Sequence, residues 1–194
     1  DSLTDFMVSF LVYFVLTLRL VSETSNSLYC LLGFLALLSC LLHCSYFVFY
    51  LVQYTSISGT YLSNRADENI TEEDNAAYDR EELSTLVYFL QRSHVFLYGW
   101  QDKAIEWFDH LGKRLGSKSK PQRLSGNAWY GDKVFLTLIS PLCLCTNNML
   151  LVFFSLVDAI EFGFWFIVVV GNSYLFLLQV WKIIKARNNL ILEI

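Results

Sequence analysis

Long stretches of this 194-residue chain carry no charge, and only 16% of its residues are Asp, Glu, Lys or Arg. From Thr24 to Asn64 there is none, and from Val134 to Trp181 only Asp158 and Glu161 interrupt. A soluble domain averages about 25% charged residues, so gaps of this length argue against an ordinary water-soluble fold. Proline is nearly missing, with Pro121 and Pro141 alone, which excludes a polyproline rod and leaves long helices unbroken. Histidine is limited to His43, His94 and His110, too few for a histidine-rich metal centre.

Catalytic signatures are missing as well. The chain has no Gly-rich phosphate loop, no His-Glu-x-x-His run, and no Ser/His/Asp or Cys/His pairing in a recognisable context. It shows no basic-aromatic run of the kind that binds nucleic acid. The expectation is a chain that is not itself catalytic and has no nucleic-acid partner. Cys30, Cys40, Cys44, Cys143 and Cys145 all lie in apolar runs, where thiols act as small hydrophobes. Their spacings do not match zinc or redox motifs, so no metal is expected. The chain opens on Asp1-Ser2, and no basic segment with a cleavage signature remains from which to read a compartment.

What is abundant is apolar: 55% of residues are hydrophobic, including 16 Phe, 11 Tyr and 5 Trp. About 20 apolar residues in a helix cross the roughly 30 Å hydrocarbon core of a bilayer. By that measure Phe6–Val21, Leu28–Val52, Val134–Val157 and Phe162–Trp181 are candidate spans. A further long helix is expected over Glu82–Leu115. Its apolar stripe reads Leu86, Leu90, Leu97, Trp100, Ala104, Phe108, Leu111 and Leu115, at helical spacing. Leu83–Trp100 is read as a membrane half and Gln101–Arg114 as an amphipathic, interfacial half, with Gly112 and Gly116 ending the helix.

The fold expected is therefore all-α, a polytopic helical membrane protein with about five membrane helices and a long amphipathic extension of the third. Its segments are a two-helix hairpin at 1–56, an acidic extramembrane loop at 57–82, the long helix at 83–116, a basic loop at 117–133, and a membrane hairpin with a basic tail at 134–194. The acids Asp67, Glu68, Glu72, Glu73, Asp74, Asp79, Glu81 and Glu82 face only Arg65 and Arg80. Lys113, Arg114, Lys118, Lys120, Arg123 and Lys133 face only Asp132, and Lys182, Lys185 and Arg187 follow the last span. Positive charge stays on the non-translocated side, which puts the basic loop and C-terminus together and the acidic loop opposite.

The C-terminal half can be drawn in two ways. In the favoured one, Val134–Val157 and Phe162–Trp181 form a hairpin with Asp158 and Glu161 at its tip. In the other, Asn147-Asn148 and Gly171-Asn172 are the turns, and Met149–Val170 buries both acids at midplane, where each carboxylate costs about 2.5–3.5 kcal/mol.

Ionisable groups inside spans point to function. Arg92, His94, Asp158 and Glu161 are a candidate intramembrane polar cluster, which a small channel or transporter component could use. His43 and His94 are the two imidazoles in candidate spans, the minimum for a bis-histidine haem anchor. The leading expectation is neither of these. It is an accessory, structural subunit of a larger membrane complex whose partners are other membrane-protein subunits and the lipid bilayer, with bound lipid but no cofactor. An energy-transducing complex of an organelle inner membrane, the mitochondrial one, is placed ahead of an endomembrane complex.

Overall fold

The computed structural model describes residues 2–59, 85–117 and 129–192, and those residues form helices and short turns with no strand among them. The acidic loop's charged core and most of the basic loop, including Asn69-Ile70-Thr71, a formal glycosylation acceptor, lie outside the described residues.

Helix α1 (Ser2–Thr24) and helix α2 (Leu28–Ser58) form an antiparallel pair joined by a short turn. The turn is built by Ser25 at φ 55 and by Asn26, whose side chain accepts from the Leu28 N–H at 3.0 Å. The two helices approach closely because residue 33 is glycine: a Cβ there would overlap the Thr17 hydroxyl. Gly59, at φ 74, ends α2 in the left-handed conformation that glycine adopts without steric penalty. Helix α2 is apolar on all sides, and it accordingly occupies the centre, touching every other helix.

Helix α3 spans Thr85–Gly116. After it, Asp132 caps helix α4 (Lys133–Ile139) by accepting from the Val134 and Phe135 N–H groups. Pro141 interrupts the helical ladder as a 3-10 turn at Ser140–Leu142, and helix α5 (Leu144–Leu156) continues the rod. The chain reverses at Val157–Ala159, where Asp158 has φ 56, and returns as helix α6 (Ile160–Trp165), a π-helical stretch (Phe166–Gly171) and helix α7 (Asn172–Leu192). The turn is thus the one in the hairpin drawing, and Asn147-Asn148 and Gly171-Asn172 lie inside the rods.

Four helical segments are long and apolar enough to cross a membrane: Leu3–Thr24, Leu28–Ser58, Lys133–Leu156 and Ile160–Asn188. Their outer faces carry bare apolar side chains such as Val15, Phe34, Leu156 and Leu177, as a surface in contact with lipid would. These features describe an integral, multi-pass membrane protein. Helix α3 is not among the four, because Arg92, Asp102, Lys103, Glu106 and Asp109 dilute its apolar content.

Its direction corrects the order in which the five-helix drawing alternated its loops. A span following α2 would run antiparallel to it. Instead Ser45 meets Gln101 and Tyr50 meets Asp109, while Arg187 of α7 reaches the Leu115 carbonyl at 2.8 Å. Helices α2, α3 and α7 therefore point the same way, and the ends of α2 and α3 that lead into the acidic and basic loops lie at one end of the bundle. Lys113, Arg114, Lys133, Lys185 and Arg187 make this the basic end. At the other end Arg19 pairs with Asp158 at 2.6 Å. With Cys30 replaced by Ser, an impermeant maleimide is expected to label Ser58→Cys and Gly131→Cys from one compartment and Asp158→Cys from the opposite one. Labelling of positions 58 and 131 from opposite sides would restore α3 as a crossing.

Candidate functional site

The most deeply buried charges of the described residues meet at the basic end, between α2, α3 and α7. Asp109 is 1% exposed. Its carboxylate accepts from the Tyr50 hydroxyl, from Trp129 Nε1 at 2.8 Å and from the Tyr130 hydroxyl at 2.6 Å. The donors come from two places: Tyr50 from α2, and Trp129 and Tyr130 from the turn of helix before α4. A carboxylate removed from water must have its lone pairs satisfied, and three aromatic donors do this in a shell that remains apolar elsewhere. Burial pushes the Tyr130 phenol well above its usual pKa, and its hydrogen bond to Asp109 and the charges of Asp109 and Glu106 add to the rise.

Lys182 of α7, 3% exposed, enters the same shell. Its ammonium lies 3.6 Å from the centre of the Tyr50 ring and 4.3 Å from those of Trp129 and Phe135. It has no hydrogen-bond partner among the described residues, so the faces of aromatic rings supply its stabilisation. Beside it Gln179 Oε1 accepts from the Tyr46 hydroxyl at 2.6 Å. The result is a fastening in which Asp109 and Lys182 tie α3, α2, α7 and the segment before α4 through shared rings.

Helix α3 fits against this fastening by its small and polar side. Tyr98, Gln101, Ile105, Asp109, Gly112 and Gly116 form its buried stripe. A Cβ at Gly112 would overlap Gln179 Nε2, and one at Gly116 would sit 3.5 Å from the Ala186 methyl. Glycines four residues apart allow two helices to approach closely in lipid, where apolar burial offers little drive. The apolar stripe that runs from Leu97 to Leu115 is therefore not the face packed most closely on the bundle. Trp100, Ala104, Leu111 and Leu115 are exposed. The buried face lies about 100° around the helix from the leucine-rich one, a displacement of one residue.

A second polar group lies mid-bundle. His43, fully buried, lies with Nε2 3.2 Å from Asn172 Oδ1, and the Asn172 amide donates to Ser39 Oγ at 2.9 Å and to the Val168 carbonyl at 2.7 Å. Asn172 backbone N–H bonds Val169, so the side chain covers the neighbouring carbonyl at the end of the π-helical turn. Gly171 makes room, since a Cβ there would overlap His43 Cε1.

The four residues read as an intramembrane cluster are not brought together. Asp158 stands exposed on the turn, paired with Arg19, and Glu161 lies near it beside the Tyr29 phenol. Arg92 is exposed on α3 and donates to the Tyr88 hydroxyl at 3.3 Å. His94 belongs to α3, and its side chain lies outside the described residues. His43 is engaged as above. Among the described residues no three His, Cys, Asp or Glu side chains gather as metal ligands, and none of the five cysteines forms a disulfide. In the sequence Asp109 falls within the amphipathic half of α3, and Lys182 is one of the cations that follow the last span. The available signal was that Asp109 shares a helical face with Ile105, Gly112 and Gly116. Compared with known proteins, the chain matches no family model, and no curated protein or solved structure matches it.

Proposed function

We propose that this chain is an accessory, structural subunit of a larger membrane complex, with α3 as the element it presents to the assembly. The observation that carries this reading is the contrast between the two sides of α3. The inner side is fastened through Asp109, Gly112 and Gly116, so the helix is held against the bundle. The outer side suits neither solvent nor lipid tails: Phe96 is 81% exposed and Trp107 67%, yet Lys103, Glu106 and His110 stand among them. A neighbouring protein accommodates such a mixture, because it can bury the rings and pair the charges.

Bound lipid belongs to the same reading. A groove of about 170 Å³ between α1 and α2, bordered by Phe10, Phe14, Phe34 and Leu37, is lined by apolar side chains of the kind that an acyl chain packs against. The compartment proposed with this role is an organelle inner membrane, the mitochondrial one first, as the setting of small subunits without catalytic motifs. Native electrophoresis after extraction in mild detergent tests the role. The expected result is a discrete species several times the 22.5 kDa of the chain, containing other polypeptides in fixed ratio. A monomer or a small homo-oligomer under the same conditions would remove the proposal.

A further inference from the structure

The outer side of α3 has a regular pattern. Arg92, Lys103 and Arg114 recur every eleven residues, and all three are exposed. Eleven residues close three helical turns almost completely, so these cations stay within about 40° of one another, spaced about 16 Å apart along the helix. Between them on the same strip lie Phe96, Trp100 and Trp107, all exposed. The acids of the helix lie off the line of the three cations. Asp109 is on the opposite, buried face, and Asp102 and Glu106 lie on one flank, where Glu106 faces His110 at 3.6 Å.

We infer that this strip docks a carboxylate-bearing helix of another membrane protein, whose acidic side chains meet Arg92, Lys103 and Arg114 and whose apolar side chains cover the intervening rings. The inference rests on the subunit role proposed above and names the partner's chemistry. Charge complementarity sets the sign of the partner, and depth sets its kind. From Gln101 to Gly116, α3 follows α2 and α7 lengthwise, from Ser45 to Arg187. Its cations therefore stand at successive depths. A layer of anionic headgroups could reach the outermost cation at the basic end but not all three, whereas carboxylates spaced along a second helix can. Burying such pairs is favourable only when both charges are present, which makes the contact selective.

A water-soluble carbodiimide, which joins a lysine amine to a touching carboxylate as an amide with loss of water, tests this in native membranes. The expected product is a cross-link from Lys103 to an Asp or Glu of a different polypeptide. Lys103→Arg should abolish the cross-link and leave the high-mass native species intact. Lys103→Glu combined with Arg114→Glu should deplete that species at least about tenfold, while the purified variant keeps the helical circular-dichroism spectrum of the natural chain, showing that the bundle is still folded. A high-mass species that survives the double reversal, or a Lys103 cross-link to the acids of residues 67–82 of its own chain, would overturn the inference and leave the subunit role standing. So would a double variant whose only defect is weaker binding to vesicles containing anionic lipid. A chain that runs as a monomer before any substitution would remove both.

Discussion

Asp109→Ala is expected to cost about 3–5 kcal/mol of stability, the range for removing one member of a buried charged network. The substitution leaves the Tyr50 hydroxyl, Trp129 Nε1 and the Tyr130 hydroxyl aimed at an empty site. Hydrogen bonds to a charged group are worth about 1.5–3 kcal/mol each, and a buried donor without an acceptor loses its hydration for no return. In thermal unfolding followed by tryptophan emission in detergent, the midpoint should fall by on the order of 10 °C. Trp129 makes the site its own reporter. Tyr50→Phe removes one donor and keeps the ring under Lys182, so it should cost about 1.5–3 kcal/mol. Lys182→Met should cost less than Asp109→Ala, because its ammonium gives up ring contacts but no hydrogen bond and the thioether remains among the same rings. The reverse order, with Lys182→Met the more damaging, would mean that the charge of Lys182 and not the donor shell holds Asp109 in place.

The long helices could be read from the gaps between charges because lipid imposes one demand that every residue of a span must meet. The same logic places the reversal at Asp158, since an acid is cheaper in water than at midplane. Asp158 adopts a positive φ itself, which aspartate tolerates better than most residues. Helix α3 resisted for a physical reason. A leucine stripe marks the buried face of a helix only where water is the alternative. Beside a membrane bundle the large side chains can face outward, and glycine and hydrogen-bonding residues seek the close contact. The periodicity of α3 was therefore legible while its phase was not. The cationic-aromatic strip was hidden in the same way, because Asp102, Glu106 and Asp109 fall among its members in sequence and only the helix separates them by angle. The shell around Asp109 draws on residues from 50 to 182, and no local pattern records that Tyr50, Asp109, Trp129 and Lys182 meet.

Gly171→Val is expected to be the next most damaging single substitution, at about 3 kcal/mol, the upper part of the range for inserting methyl groups into a packed interior. The Cβ alone would overlap His43 Cε1 and lie 3.2 Å from Nδ1. The ring cannot yield freely, because it is fully buried and Asn172 holds its other nitrogen. Displacing it would release Asn172 from His43, strain the contact to Ser39 and uncover the Val168 carbonyl where the π-helical turn passes into α7. The companion variant His43→Ala separates steric from polar causes. If overlap with the ring dominates, Gly171→Val added to His43→Ala should cost at least about 1 kcal/mol less than Gly171→Val added to the natural chain, a coupling readily measured in a double-mutant cycle. If the two losses simply add, the glycine serves the π-helical backbone itself and the histidine is only its neighbour.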